Sequence, residues 1–307
     1  MENQSVKIHP QKDKIIIIMG ATGTGKSRLS IDLATRFFPS EIINSDKIQL
    51  YRGLDITTNK IPFQDRLGVP HHLLGEFDSE LGELTPLEYR SIASSTIDEI
   101  LSRNKTPVIA GGSNSLIHAL VSDRYDPDSD VFDEDDIEPL LLSANKLRYD
   151  CCFLWVDVAL PVLYEYLLRR VDDMFDAGML DELSEWFESE TELGSLGERV
   201  GIKKAIGLPE FEEYFRGVGG NDSNDTMDTQ IKMDLAIEAI KFNTCQLAKR
   251  QIGKIQRLRS AGWDLRRLNA TEAFRAVLLS DSGMSSEAWE KKVVEPSVKI
   301  VKRFLEE

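Results

Sequence analysis

The apolar positions of this chain fall into short unbroken runs separated by helical periodicity. Ile15-Ile16-Ile17-Ile18-Met19 has no alternation at all, which is the pattern of a strand covered on both faces in a parallel sheet. Shorter runs of the same kind follow at Ile42-Ile43, at Pro107-Val108-Ile109-Ala110 and from Cys151 to Val158. Between them the spacing changes. Leu29, Ile31, Leu33 and Ala34 give one face of a helix, and Leu163, Leu167, Val171 and Met174 give another, opened by Pro161, which suits a first helical turn. Leu247, Ile252, Ile255 and Leu258 mark a further helix near 232–260. Strands alternating with helices predict an α/β fold with a parallel core. The expected layout is a core over 14–125, an acidic connector over 126–150, and a core strand at 151–158. A mainly helical, substrate-covering domain follows over 159–231, with a mobile loop at 217–230 rich in Gly, Asn and Asp. A basic helix over 232–280 returns to the core, and a helix over 281–307 ends the chain.

The first strand runs directly into Gly20-Ala21-Thr22-Gly23-Thr24-Gly25-Lys26-Ser27. Glycines at these places let backbone N–H groups turn toward an anion at the next helix's N-terminus; Lys26 adds a point charge, and Ser27 is placed for Mg²⁺. Strand, loop and helix agree, so the core is read as P-loop NTPase-like. The loop alone does not name a reaction, because kinases, hydrolysing ATPases, switches and some transferases share it. The second strand ends in Asn44-Ser45-Asp46. Ligands of open α/β sheets gather at the carboxyl ends of strands, which makes Asp46 a candidate general base; a helix cap is the structural alternative.

From Asp46 onward the residues resemble the adenosine-phosphate and tRNA isopentenyltransferases. Gln49 follows Asp46 by three, and then come Tyr51-Arg52-Gly53-Leu54-Asp55-Ile56 and Thr58-Asn59-Lys60. Further matches are Gly68-Val69-Pro70-His71-His72-Leu73, Gly111-Gly112-Ser113-Asn114-Ser115, and Arg170-Val171-Asp172-Asp173-Met174 with Gly178. Gly201-Ile202-Lys203-Lys204-Ala205-Ile206-Gly207 and Gln246-Leu247-Ala248-Lys249-Arg250-Gln251 complete them, so that the resemblance covers most of 14–270. The resemblance implies transfer of a dimethylallyl group from dimethylallyl diphosphate to N6 of adenine in ATP, ADP or AMP, the first step of cytokinin formation. It puts the donor's diphosphate on Gly20 to Ser27, with Mg²⁺ at Ser27. Thr22, Lys26 and Arg170 then meet the leaving group, with Asp46 as base. Acceptor contacts are expected from Ser45, Asp46, Thr58, Lys203, Lys204, Lys249 and Arg250. Relatives commonly carry arginine near 203–204; lysine offers a point contact in place of a planar fork.

Charge decides between branches of that family. Thirty-seven Lys+Arg against fifty-two Asp+Glu give a formal net charge of −15, and acids crowd the stretch from Asp123 to Glu138. Such a surface repels an RNA backbone, so no nucleic-acid partner is expected. The tRNA enzymes remain the alternative, and Lys241 to Ser260, with six basic residues and no acid, would suit either acceptor. A small-molecule kinase leaves the Tyr51 to Lys60 signature without a role. A guanine switch needs an acid that Asn59-Lys60-Ile61-Pro62 lacks. Cys151, Cys152 and Cys245 have no paired or zinc-ligand spacing and read as core thiols in a reducing compartment. His71 and His72 read as loop scaffold. No apolar run approaches the ~20 residues that span a bilayer, and no targeting peptide is visible, so a soluble protein of plastid or cytoplasm is expected, with a transit peptide removed in the former case.

Overall fold

The computed structural model describes residues 12–78, 82–129, 131–132, 146–192, 199–218 and 226–307. Its centre is a six-stranded, all-parallel sheet of order β3-β2-β4-β1-β5-β6. In chain order the elements are β1 (Lys14–Met19), α1 (Lys26–Arg36), β2 (Ser40–Asn44), β3 (His71–His72), α2 (Pro86–Ser102), β4 (Thr106–Gly111), α3 (Asn114–Val121) and β5 (Asp150–Asp157). Then come α4 (Leu160–Asp176), α5 (Met179–Glu192), α6 (Leu208–Val218), α7 (Thr226–Ser260) and β6 (Leu265–Asn269). The chain ends with α8 (Thr271–Leu278), α9 (Ser282–Trp289) and α10 (Glu295–Glu306).

The unbroken isoleucine run is explained by two cores. Ile15, Ile17 and Met19 pack with α2, α3 and the C-terminal half of α7. Ile16 and Ile18 face the opposite side, against Leu29 and Leu33 of α1, Leu163 and Leu167 of α4, and Val293 and Val301 near the C-terminus. Period-two geometry sends alternate residues to opposite faces, so a strand buried on both has no polar position. The α/β expectation is therefore met.

Three segments differ from the sequence reading. Residues 226–230, expected in a mobile loop, form the first turn and more of α7, a single 35-residue helix; residues 219–225 of that loop lie outside the described residues. The segment expected to be one basic helix to 280 instead turns at Ala261 into the edge strand β6 and then α8. The strand was hidden because only Leu265 and Leu268 are buried, with Arg266 and Arg267 between them, a pattern that breaks alternation. The segment expected as one C-terminal helix is α9 and α10 joined through a π-helical turn at Glu290–Val294. The acidic connector lies largely outside the described residues.

His118 of α3 is 2% exposed, with its ring 6.1 Å from those of Trp263 and Phe132, and neither ring nitrogen has a hydrogen-bond partner among the described residues. Burial, helped by the charge of Arg90, pushes its pKa down from 6.5 to about 4. The unfolded chain binds this proton more tightly, so stability is complete above pH 6.5 and is lost as pH falls toward 4. The loss amounts to about 3 kcal/mol. His118→Leu is expected to flatten the drop in urea midpoint between pH 7 and 4.5; an unchanged slope would show that another group sets it.

Candidate active site

Sheet order places the loop after β1 at the centre of the carboxyl edge, flanked by the ends of β4 and β2 on one side and of β5 and β6 on the other. A cleft of about 820 Å³ lies across it. Its floor is the phosphate loop, with Thr22, Gly23, Gly25, Lys26 and Ser27 in the lining. Gly25 has φ +90°, and a Cβ there would come within 2.6 Å of the Trp289 indole. That ring donates its N–H to Asp32 at 2.8 Å. The C-terminal helices thus buttress the loop, a contact that no local pattern in the sequence announces.

Lys26 donates to Ala21 O at 2.7 Å, and Thr24 Oγ1 donates to the same carbonyl at 2.9 Å. The Lys26 ammonium still reaches the cleft, yet the surrounding protein crowds it. Burial lowers its pKa to about 8, with Asp46 opposing the shift and Arg170 adding to it. Arg170 of α4 donates to Thr22 Oγ1 at 3.1 Å, and its Nε has no partner among the described residues. Two cations and the loop amides therefore converge on one spot, an arrangement suited to a diphosphate.

Asp46 stands beside this anion site. Its Oδ1 accepts from the N–H groups of Ile48 (3.1 Å) and Gln49 (3.4 Å), the local turn that the capping alternative described. Among the described residues Oδ2 accepts no hydrogen bond, and Asp46 also lines the cleft. Asn44 holds the turn from behind: its side chain accepts from Asp46 N–H and donates to the carbonyls of Asp46 and Leu73. Gly111 presses against the same segment so closely that a Cβ there would lie 2.0 Å from Ser45 O.

Gln251 has no role in the sequence reading beyond its place in a motif. It is buried on α7, accepts from Thr22 N–H at 2.7 Å and donates to Gly112 O at 3.1 Å. One amide thereby ties the phosphate loop to the end of β4.

The Tyr51 to Lys60 signature is mainly a docking platform. Tyr51 is buried, accepts from Leu84 N–H, and its ring meets Gly201. Lys60 spends its three donors on Gly53 O, Thr58 Oγ1 and Asp55. Glu182 of α5 accepts from the N–H groups of Ile56 (3.0 Å) and Thr57 (2.7 Å) and from Thr57 Oγ1 (2.7 Å). This carboxylate joins the helical cover to the loop carrying Asp55, Ile56, Asn59 and Lys60 along the cleft. Truncation in Glu182→Ala leaves two amides without their charged acceptor. It is expected to raise the acceptor KM about tenfold or more and leave donor affinity unchanged. Equal loss for both substrates would make Glu182 a general stability residue.

Apart from Asp46, the expected acceptor residues do not line the cleft. Ser45 is wholly buried, its N–H and C=O engaged with Ala110 and Ser113. Thr58 donates to Leu54 O. Lys204 pairs with Glu83, which also holds Lys47. Lys203 lies over Trp186 and lines a separate pocket of about 100 Å³. Lys249 and Arg250 are exposed on α7 outside the cleft lining, because the neighbouring Ala248, Gln251 and Ile252 are the positions that face inward. His71 bonds Val69 O and His72 bonds Glu41, both along β3.

Among the described residues no group of three His, Cys, Asp or Glu could hold a metal. Ser27, exposed at the mouth, and the Asp173 carboxylate offer hard oxygen donors in one cleft. They fit Mg²⁺, which takes few protein ligands and completes its octahedron from phosphate and water.

The family model described as IPP transferase matches residues 49–144 and 128–257. An adenylate isopentenyltransferase of Humulus lupulus is 57% identical over 299 residues, covering 94% of this chain and 90% of its own length. A chloroplastic adenylate isopentenyltransferase of Arabidopsis thaliana is 54% identical over 299 residues, covering 96% and 82%. Among solved structures, a eukaryotic dimethylallyltransferase acting on tRNA superposes with a TM-score of 0.75 at 26% identity, over 96% of this chain and 80% of that one. With the family signature spread across most of its length and relatives above half identity, this chain belongs to the IPP transferase family.

Proposed function

We propose that the protein transfers the dimethylallyl group of dimethylallyl diphosphate to N6 of the adenine of ATP or ADP, with AMP as a further acceptor, releasing diphosphate and opening cytokinin formation. The observation that carries the reading is the adjacency of Asp46 to an anion site built from the loop amides, Lys26 and Arg170. The names of the relatives above half identity support it.

The N6 lone pair attacks C1 of the donor as the C1–O bond breaks, and the bonding pair leaves on diphosphate. The proton released from nitrogen passes to Asp46 Oδ2. Charge growing on the leaving oxygens is met by donors already in place, which need no reorganisation as it develops. Ser27 would hold Mg²⁺, which would supply further neutralisation of the leaving group. Enzymes of this kind that use diphosphate donors commonly need such a divalent ion. Asn44 and Gly111 hold Asp46 in position, and Gln251 fixes Thr22 beside Arg170.

A tRNA acceptor is the second reading, supported by the structural neighbour that acts on tRNA; the net charge of −15 opposes it. The chloroplastic relative supports a plastid location over a cytoplasmic one, and among the described residues no helix is long and apolar enough to cross a membrane. The test mixes protein, Mg²⁺ and dimethylallyl diphosphate with AMP, ADP, ATP or unmodified tRNA, and follows prenylated product by mass. Product on free nucleotides is expected. Product on tRNA alone would overturn the acceptor assignment, and ATP converted to ADP without prenylation would indicate a kinase.

A further inference from the structure

The cleft has two arms, and the proposed reaction uses one. On the β2–β4 side lie Asp46, Asn44 and the 55–66 loop, where the base requires the amine and the reacting carbon to meet. On the β5–β6 side the same cleft continues between Arg28, Tyr166, Phe274, Val277, Ser285 and Trp289. No carboxylate of this second arm belongs to the acid–base chemistry. Its surfaces are nevertheless specific. The Arg28 guanidinium stacks on the Trp289 indole, 4.6 Å from the ring centroid, and Trp289 is itself fixed by Asp32. Tyr166 meets Phe274 edge to face with ring centroids 4.7 Å apart. The Arg28 side chain, which pairs with Asp32 at 4.0 Å, is 49% exposed and lines the cleft.

We infer that this second arm binds the base of a nucleoside di- or triphosphate whose phosphates occupy the loop, in competition with the prenyl diphosphate. A guanidinium backed by an indole offers a flat cationic face to a planar heterocycle, and the Tyr166, Phe274 and Val277 wall supplies apolar contact at its edge. Charge complementarity points the same way, because Lys26, Arg170 and Arg28 all line this cleft. The acceptor nucleotide can thus enter in two orientations. In one, adenine reaches Asp46 and reacts. In the other, the phosphates sit where the donor belongs, and the complex is unproductive. The enzyme is then inhibited by its own nucleotide when the donor is scarce. The inference rests on the loop being the donor's diphosphate site.

The experiment measures initial rates at constant acceptor with dimethylallyl diphosphate varied, adding either inorganic tripolyphosphate or inosine triphosphate, which lacks the N6 amine and cannot be prenylated. Both are expected to compete with the donor, inosine triphosphate at least tenfold more strongly. Val277→Trp, which fills the arm, and Tyr166→Leu, which opens its wall, are expected to bring inosine triphosphate toward the tripolyphosphate value while leaving tripolyphosphate inhibition and uninhibited turnover unchanged. Failure of tripolyphosphate to compete would remove the diphosphate assignment of the loop itself. Competition by tripolyphosphate with no advantage for inosine triphosphate, or an advantage untouched in both variants, would overturn the second arm alone.

Discussion

Asp46→Asn is expected to lower kcat by about 10²- to 10⁴-fold, the usual contribution of a positioned base, while leaving the affinity for dimethylallyl diphosphate nearly unchanged. The substitution separates the two jobs of this side chain. Oδ1 accepts the N–H groups of Ile48 and Gln49, and the amide oxygen of asparagine can continue to do so, preserving the turn. Oδ2 accepts nothing from the protein among the described residues, and replacing it by an amide nitrogen removes the proton acceptor alone. The check is single-turnover prenylation beside equilibrium binding of the donor. Preserved turnover would take Asp46 out of the mechanism. Loss of donor binding would mean that the variant had disturbed the loop.

Lys26→Met is expected to weaken donor binding by ten- to a hundredfold, the scale of charge-assisted hydrogen bonds to an anion. It should also abolish a pH dependence expected of the unaltered enzyme. Burial holds the Lys26 ammonium at about 8, so in the free enzyme it begins to deprotonate just above neutrality. A bound diphosphate favours the ammonium, and binding therefore takes up a proton when pH exceeds that value. The Lys26 contribution to donor affinity is therefore expected to fall as pH rises through 8 toward the higher value of the complex. The measurement is donor binding by calorimetry from pH 6.5 to 9.5 in two buffers of different ionisation enthalpy. A fall of equal size in Lys26→Met would assign the titration to another group.

Most of the core was legible because its signals are local. An unbroken apolar strand, a glycine-rich loop with Lys26 and Ser27, and a helical face beginning at Leu29 occupy the twenty consecutive residues from Ile15 to Ala34, and each reports the environment of its own backbone. β6 was not legible: as an edge strand it buries two side chains and pairs with β5 through backbone groups, which carry no sequence signature. The first turns of α7 read as loop in the sequence because glycine and polar residues precede them. Lys203, Lys204, Lys249 and Arg250 were expected at the acceptor on the strength of charge and motif. Charge in a sequence carries no direction, and the helix phase and the Glu83 pairing that turn these side chains elsewhere arise in three dimensions.

By itself the sequence determined the class of fold, the anion-binding loop and the placing of an acid at the end of the second strand. Each follows from the alternation rule of strands, the backbone freedom of glycine at a tight turn, and the gathering of ligands at strand ends. Tertiary structure alone decided how those parts are held and aimed. Trp289 lies more than 260 residues from the loop that it supports, Gln251 reaches back 229 residues to Thr22, and Glu182 clamps a loop 125 residues earlier. Such contacts depend on the summed geometry of many packed elements, and no window of sequence contains both partners.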